Sequence, residues 1–549
     1  MSGLKVAGLL GIALAGIASA SPLSPDKRQS STYANPILWE DLPDLDVFRV
    51  GDVYYYSSST FAYSPGAPIL KSYDLANWTP VSHSVPSLDF GSTKYNLASS
   101  SDRAYVKGIW ASTMRYREST DTFYWIGCIE FSKTYIYTAS GTNARNNNGE
   151  VDSWDWKQAA VLDTCYYDCG LLIDDDDTMY VAYGSTNSNG LSVAQLSSDG
   201  LSQVTTKQVF TSDTYFEGSH MYKINGYYWI IPTKVATGEW ALRSKNPFGP
   251  YEDKIFFDQV KGPLSNAGNA HQGGMVEAAD GKWHYIAFLD SYPGGRIPVM
   301  APITWDAEGW PQITLNGTGA WGLSYDMPVS TSKTVPGPTG KDSFTGSALS
   351  AQWEWNHNPD TSKFSLAGGD GGLILKTATV TDDLFTARNT LTHRILGPKS
   401  EAVFEFDISK MADGDRAGAA LFRDWSAYIG VHKEGNTATL VYVNDVTLND
   451  DWTTKSKGTV AATGPTLTAS TVYLRIVADI TPALNLNPVR EGVFSYSLDG
   501  QNWTQLGGSF LLRNSYTFFM GYRFAAFNFA TKALGGQATL RSFSMELAS

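Results

Sequence analysis

Before residue 328 the chain repeats one pattern: a turn residue or pair, then a short run of aromatic and β-branched side chains. It occurs as GDVYYYSSS from Gly51, TDTFYWIGC from Thr120, DDTMYVAYG from Asp176, NGYYWIIPT from Asn225 and DGKWHYIAFL from Asp280, roughly 50 to 70 residues apart. A tight turn feeding such a strand is one hairpin of a small antiparallel sheet. Its recurrence marks a repeated supersecondary unit, and small sheets repeated radially make a propeller. Five copies predict five blades. The long, uneven spacing, without a leucine-rich or helical signature, argues against a stacked solenoid. Aromatic residues at 13%, 51 glycines and few long amphipathic helical patterns extend the all-β reading to the rest of the chain.

The segment PVSTSKTVPGPTGK, residues 328–341, is rich in Ser, Thr, Pro and Gly and has no apolar period, which predicts a linker between two domains. At the other end, Lys5, an apolar run from Val6 to Ile17 and Ala18-Ser19-Ala20 have the order of a secretory signal, expected to span residues 1–20. Lys27-Arg28 resembles a dibasic processing site, so residues 21–28 read as a short propeptide. The expected product is secreted, with a first domain over residues 29–327.

A formal net charge of −13 disfavours nucleic acid and other polyanions, and no segment beyond the leader approaches a membrane span. A neutral partner fits better. Cys128, Cys165 and Cys169 are too few for a disulfide scaffold; three pairings are possible with one thiol left over, and Cys128 with Cys165 is the one expected. Sequons at Asn77, Asn316 and Asn502 suit glycosylated loops.

Candidate chemistry lies in carboxylates that interrupt apolar stretches. The run Asp174 to Asp177 occupies the turn of the third copy, where Asp caps its own backbone, and its spacing does not match a calcium loop. Asp168 instead lies inside the preceding strand, between Tyr167 and Cys169, where burial is costly without a partner or a task. Asp44 in NPILWEDLPDLDVFRV and Glu217 in YFEGSHMYKINGYYW have the same setting. In a propeller the first strands of successive blades line the axis, so the three acids from blades one, three and four would converge at one mouth. Acids converging in an aromatic pocket suit glycoside hydrolysis, with one as proton donor and another activating water. The alternative is that they are solvated or salt-bridged loop acids.

The stretches NPILWEDLPDLDVFRVGDVYYYSSST, VKGIWASTMRYR, YYDCGLLIDDDDTMYVAYG, FEGSHMYKINGYYWIIPT, AHQGGMVE and GGRIPVMAPITWDAEGWP together resemble glycoside hydrolase family 43, propeller enzymes acting on arabinose- and xylose-containing polysaccharides. Within it the chain is similar to fungal arabinofuranosidases that remove O3-linked arabinose from doubly substituted xylose. WEWNHNPDTSKF and FTARNTLTHRILGPK extend the resemblance to the lectin-like, concanavalin-type β-sandwich that follows the propeller, here residues 342–549.

The resemblance implies Asp44 as general base, Asp168 as pKa modulator and Glu217 as general acid of an inverting displacement, with ~6.5–9.5 Å between base and acid for the attacking water. It implies that Arg296 fixes a carboxylate near the modulator through a bidentate contact, and that Trp110 and Tyr167 wall the sugar subsite. His271 matches an axial histidine that binds water or, in some members, calcium; no cofactor is required. Leu45 and Cys169 follow the two aspartates where the family commonly has proline, which marks a subgroup. Trp353, Trp355 and Trp503 read as core or interdomain packing ahead of a sugar platform. The expectation is thus a monomeric, secreted α-L-arabinofuranosidase acting on arabinoxylan, the alternatives being a β-xylosidase and a non-catalytic carbohydrate-binding protein.

Overall fold

The computed structural model describes residues 31–99, 101–144, 154–185 and 189–548. The signal and propeptide expectations, residues 1–28, lie outside them. Apart from short 3-10 turns, the described residues contain one helix, Gly141–Ala144; the rest of the regular structure is strand.

The first domain consists of four-stranded antiparallel meanders. They begin with Asp46–Val50, Ile109–Arg117, Tyr167–Ile173, Phe216–Ile224 and Ala270–Glu277. The five turn-plus-aromatic copies fall on the second strand of each: Val53–Ser57, Thr122–Ile129, Met179–Gly184, Tyr227–Lys234 and Trp283–Asp290. These strands are buried on both faces, which their continuous apolar runs anticipate.

Each first strand packs against the next, and Ala270–Glu277 packs back on Asp46–Val50, so the first strands form a closed ring. Hydrogen bonds run around it. Asp46 accepts from the Thr113 hydroxyl (2.7 Å) and the Met114 N–H, and Thr113 Oγ1 accepts the Leu171 N–H (3.0 Å). Cys169 bridges Ser219 in a parallel pair, and Tyr222 Oη accepts the Met275 N–H (2.8 Å). The N-terminal strand Thr32–Ala34 pairs antiparallel with Ser324–Asp326, tying the two ends of the domain together. Cys128 and Cys165 form a disulfide joining the second meander to the approach to the third, and Cys169 is left free and buried.

The second domain is a sandwich of a nine-stranded and an eight-stranded sheet. The inner faces enclose one core, which holds Trp353 and Trp355. Trp503 is half-buried, with the Arg475 guanidinium 4.5 Å from its ring. At the edge of the eight-stranded sheet lies a strand of the first domain, Tyr63–Ser64, paired with Trp355 and Asn356. The outer face of that sheet carries Phe422, Tyr428, Val443 and Phe527, which pack on Phe61, Tyr63 and Tyr105 of the first domain. That outer face of the sandwich is thus covered by the first domain.

Candidate active site

At the mouth of the ring the first strands break register. Irregularities fall between Ile109 and Ser112, Tyr167 and Gly170, Glu217 and His220, and His271 and Gly274. Such bulges turn side chains out of the alternation of a strand. The backbone there is left-handed: φ is 46° at Asp168, 58° at Gly218 and 43° at Gln272, and 50° at Asp44 just before the first meander. A non-glycine residue in this region costs ~1–3 kcal/mol and persists where its surroundings enforce it. Gly218 meets a further limit, since a Cβ there would lie 2.8 Å from Thr233 Oγ1.

The bulges bring Asp44, Asp168 and Glu217 to one cavity of about 260 Å³. Arg296 Nη1 donates to Asp44 Oδ1 (2.6 Å), and the Ser59 hydroxyl donates to Asp44 Oδ2 (2.7 Å). Tyr167 Oη donates to Glu217 Oε1 (2.6 Å). Trp110, Phe131 and Tyr167 form a run of ring contacts along one wall, at 4.6 and 5.3 Å between centroids.

Charge is unevenly compensated here. Burial, followed by the like charges of Glu217 and Asp44, pushes the Asp168 carboxyl well above the usual carboxylate range; the Gly218 N–H and Arg296 oppose this. Burial also raises Glu217, with Asp44 adding to it, while the Tyr167 hydroxyl, His271 and Arg296 pull the other way. Asp168 and Glu217 therefore titrate as one coupled unit that holds a proton more tightly than separate carboxyls would. Carboxyls that hold their proton more tightly than usual, beside an Asp44 fixed by Arg296 and Ser59, make an acid–base arrangement.

Of the sequence-derived residues, Asp44, Asp168, Glu217, Trp110, Tyr167 and Arg296 all line this cavity. Two expectations change. Arg296 binds a carboxylate, but it is that of Asp44, through one Nη; its Nε donates to the Phe519 carbonyl (3.1 Å), so the contact is not bidentate. His271 does not line the cavity. It is buried against Phe288, with Nδ1 on the Asn269 carbonyl (3.0 Å), because the bulge at 271–274 turns the next residue, Gln272, to the mouth instead. Among the described residues the carboxylate within 4 Å of a His271 ring nitrogen is Asp290, at 3.9 Å, and no group of three or more His, Cys, Asp and Glu side chains is placed to hold a metal. The calcium expectation finds no ligand set there.

Sequence reasoning missed Gln272, Phe61, Phe131, Ser59 and Phe519. Phe519 belongs to the second domain, and its ring stacks on Phe61 (6.2 Å, 20° between planes). Asp41 fastens it: its carboxylate accepts the Arg296 N–H and the Gly521 N–H, both at 2.8 Å. No local pattern announces a contact across so many residues. Gln272 had a signal, since small residues follow the left-handed position in both Asp168-Cys169-Gly170 and Gln272-Gly273-Gly274. The run Asp174 to Asp177 is a turn, closed by Asp177 N–H to the Asp174 carbonyl (2.9 Å), and lies outside the cavity.

Residues 33–311 match the model of glycosyl hydrolases family 43, and residues 341–546 match the beta xylosidase C-terminal concanavalin A-like domain. A beta-xylosidase of Formosa agariphila is 29% identical over 90% of this chain and 87% of that protein. A non-reducing end alpha-L-arabinofuranosidase of Bacteroides ovatus is 29% identical over 63% of this chain and 65% of that protein. A solved structure of a GH43 glycoside hydrolase, engineered at its active site to display both endo-xylanase and exo-arabinofuranosidase activity, superposes with a TM-score of 0.91 at 56% identity, covering 94% of this chain and all of that one. With its three acids in one aromatic-walled cavity and both domains matched, the chain belongs to glycosyl hydrolase family 43.

Proposed function

We propose that this protein is a secreted, monomeric α-L-arabinofuranosidase that removes arabinose side chains from arabinoxylan, with O3-linked arabinose of doubly substituted xylose as the preferred group. Its first domain is read as a five-bladed propeller. The observation that carries the proposal is the convergence of Asp44, Asp168 and Glu217 on a cavity of about 260 Å³. That volume suits one pentose at a chain end or branch, and Phe61 and Phe519 restrict it. The 56% identity to an enzyme with exo-arabinofuranosidase activity supports the choice of sugar, and a disulfide suits an oxidising compartment.

In the proposed reaction Asp44, oriented by Arg296 and Ser59, removes a proton from a water attacking the anomeric carbon. Glu217 protonates the departing oxygen, and the configuration inverts. Asp168 shares the site's proton with Glu217, and the pair holds it more tightly than separate carboxyls would.

A β-xylosidase is the second reading, favoured by the relative from Formosa agariphila, which matches over both domains. Proton NMR of wheat arabinoxylan during digestion separates the two. Loss of the anomeric signals of arabinose on O2,O3-disubstituted xylose, with free arabinose appearing, is the expected result. Release of xylose selects the second reading, and an unchanged spectrum rejects both in favour of a binding protein.

A further inference from the structure

Gln272 lines the cavity beside the acids, yet its side-chain amide has no hydrogen-bond partner among the described residues, although the residue is only 6% exposed. Neither amide atom is sealed from solvent, so both the donor and the acceptor are open to a partner that enters the cavity. Its backbone has the left-handed conformation of Asp44 and Asp168, at the same register break in the last meander that carries Asp168 in the third. The same register break thus places Asp168 and Gln272 at the mouth in two meanders, and the first of them is an acid of the site.

What holds Gln272 there is also on the page. Its N–H donates to Oε1 of Glu239 (2.5 Å), a fully buried residue that reaches across from the fourth meander without lining the cavity. The Thr233 hydroxyl lies 3.0 Å from both oxygens of Glu239. On its other side Gln272 packs over Gly218, where a Cβ would come within 3.1 Å of Gln272 Cγ. Burial pushes the Glu239 carboxyl up to about 8, so near neutral pH it is protonated and glutamine is its close mimic.

We propose that Gln272 is a sugar-contacting residue of this site, its amide pairing with a hydroxyl of the glycosyl group that is transferred, and that Glu239 is the residue that positions it. The inference rests on the glycosidase reading above. The chemistry fits: an amide offers both a donor and an acceptor to a hydroxyl, and does so without adding a fourth carboxyl or competing with Arg296 for Asp44.

The test uses the full chain and two substrates, 4-nitrophenyl α-L-arabinofuranoside and 4-nitrophenyl β-D-xylopyranoside. On whichever the wild type prefers, Q272A is expected to lower kcat/KM about tenfold or more, with an unchanged melting temperature. E239A should lower it similarly, E239Q should recover most of that loss, and the double variant Q272A/E239A should be no worse than Q272A, because both act through one contact. Wild-type kcat/KM in Q272A overturns the contact. Multiplying losses in the double variant, or an E239Q as impaired as E239A, overturn the positioning role. A wild type that cleaves neither glycoside overturns the reading of the site and this inference with it.

Discussion

Asp44, Asp168 and Glu217 share one arginine among three carboxyls, whereas Glu354, between the two domains, faces two arginines and a histidine, with Glu40 as a second acid near both arginines. Glu354 Oε1 accepts from Arg394 Nη1 (2.9 Å) and lies 3.1 Å from His83 Nε2; Oε2 accepts from Arg523 Nη1 (2.5 Å). Burial alone would raise its pKa, but the charges of Arg394 and Arg523 outweigh this and hold it well below the usual range. In the cavity the same burial is left uncompensated, and Asp168 and Glu217 go up. Burial therefore does not distinguish the two clusters; the charges around each carboxyl do, and Glu40 and Glu239, raised outside the cavity, show that a raised carboxyl must also reach the cavity to do chemistry. The undercompensated cluster retains a proton for chemistry, and the overcompensated one fixes the domains in register.

The comparison breaks most sharply at Glu217. E217Q removes proton donation but little volume, so turnover of arabinoxylan is expected to fall by roughly 10²–10⁴-fold with no loss of melting temperature. D44N should be as damaging even with a good leaving group, because the water still needs a base. E354Q should do the reverse. It leaves Arg394 and Arg523 facing a neutral amide, and about 3–5 kcal/mol of stability should be lost in urea unfolding. The activity of molecules that remain folded should stay within a few-fold of the wild type. A stable E354Q, or an inactive and unstable E217Q, would erase the distinction.

pH sharpens it further, because the two clusters move in opposite directions. The Glu354 carboxyl is depressed in the folded protein, so its contribution to stability is full above the unfolded carboxylate range and is lost as the pH falls through and below about 4.3. The melting temperature of the wild type should therefore drop more steeply on acidification than that of E354Q. Activity needs the raised pair to hold its proton, so kcat/KM should fall as the pH rises through the values of Asp168 and Glu217. D168N removes one like charge and should shift that alkaline limb to lower pH. A limb that does not move assigns it to another group.

The fold was legible in the sequence where its causes are local. A turn followed by a doubly buried aromatic strand is written in consecutive residues, as in Asn225-Gly226 before Tyr227–Lys234, and each of the five copies marks a second strand. The two sheets of the sandwich are written the same way. Lys399–Asp407 alternates strictly between buried and part-exposed residues, whereas RFAAFNFA at Arg523–Ala530 is buried throughout because the first domain covers its outer face. The acids were legible as interruptions of such runs. What escaped depends on contacts distant in the chain: the bulge that exchanges His271 for Gln272, the choice of Asp44 as the partner of Arg296, Phe519 in the wall, and the Glu354 cluster, whose members come from both domains.

The smallest effect is expected from the residues that look most chemical in the sequence. Asp174 caps the Asp175 N–H (2.7 Å), accepts from the Tyr228 hydroxyl (2.6 Å) and pairs with Lys223 of the next meander. Here the charge is compensated: the Lys223 and Tyr228 hydrogen bonds outweigh burial and lower its pKa. By the charges around it this is a structural acid, closer in kind to Glu354 than to Asp168 six residues before it. D174N keeps an acceptor and loses the charge at a half-exposed lysine, so roughly 1 kcal/mol or less should be lost, with kcat/KM unchanged on either aryl glycoside. A large fall in activity without a fall in stability would mean that compensation does not separate the two kinds of acid in this protein.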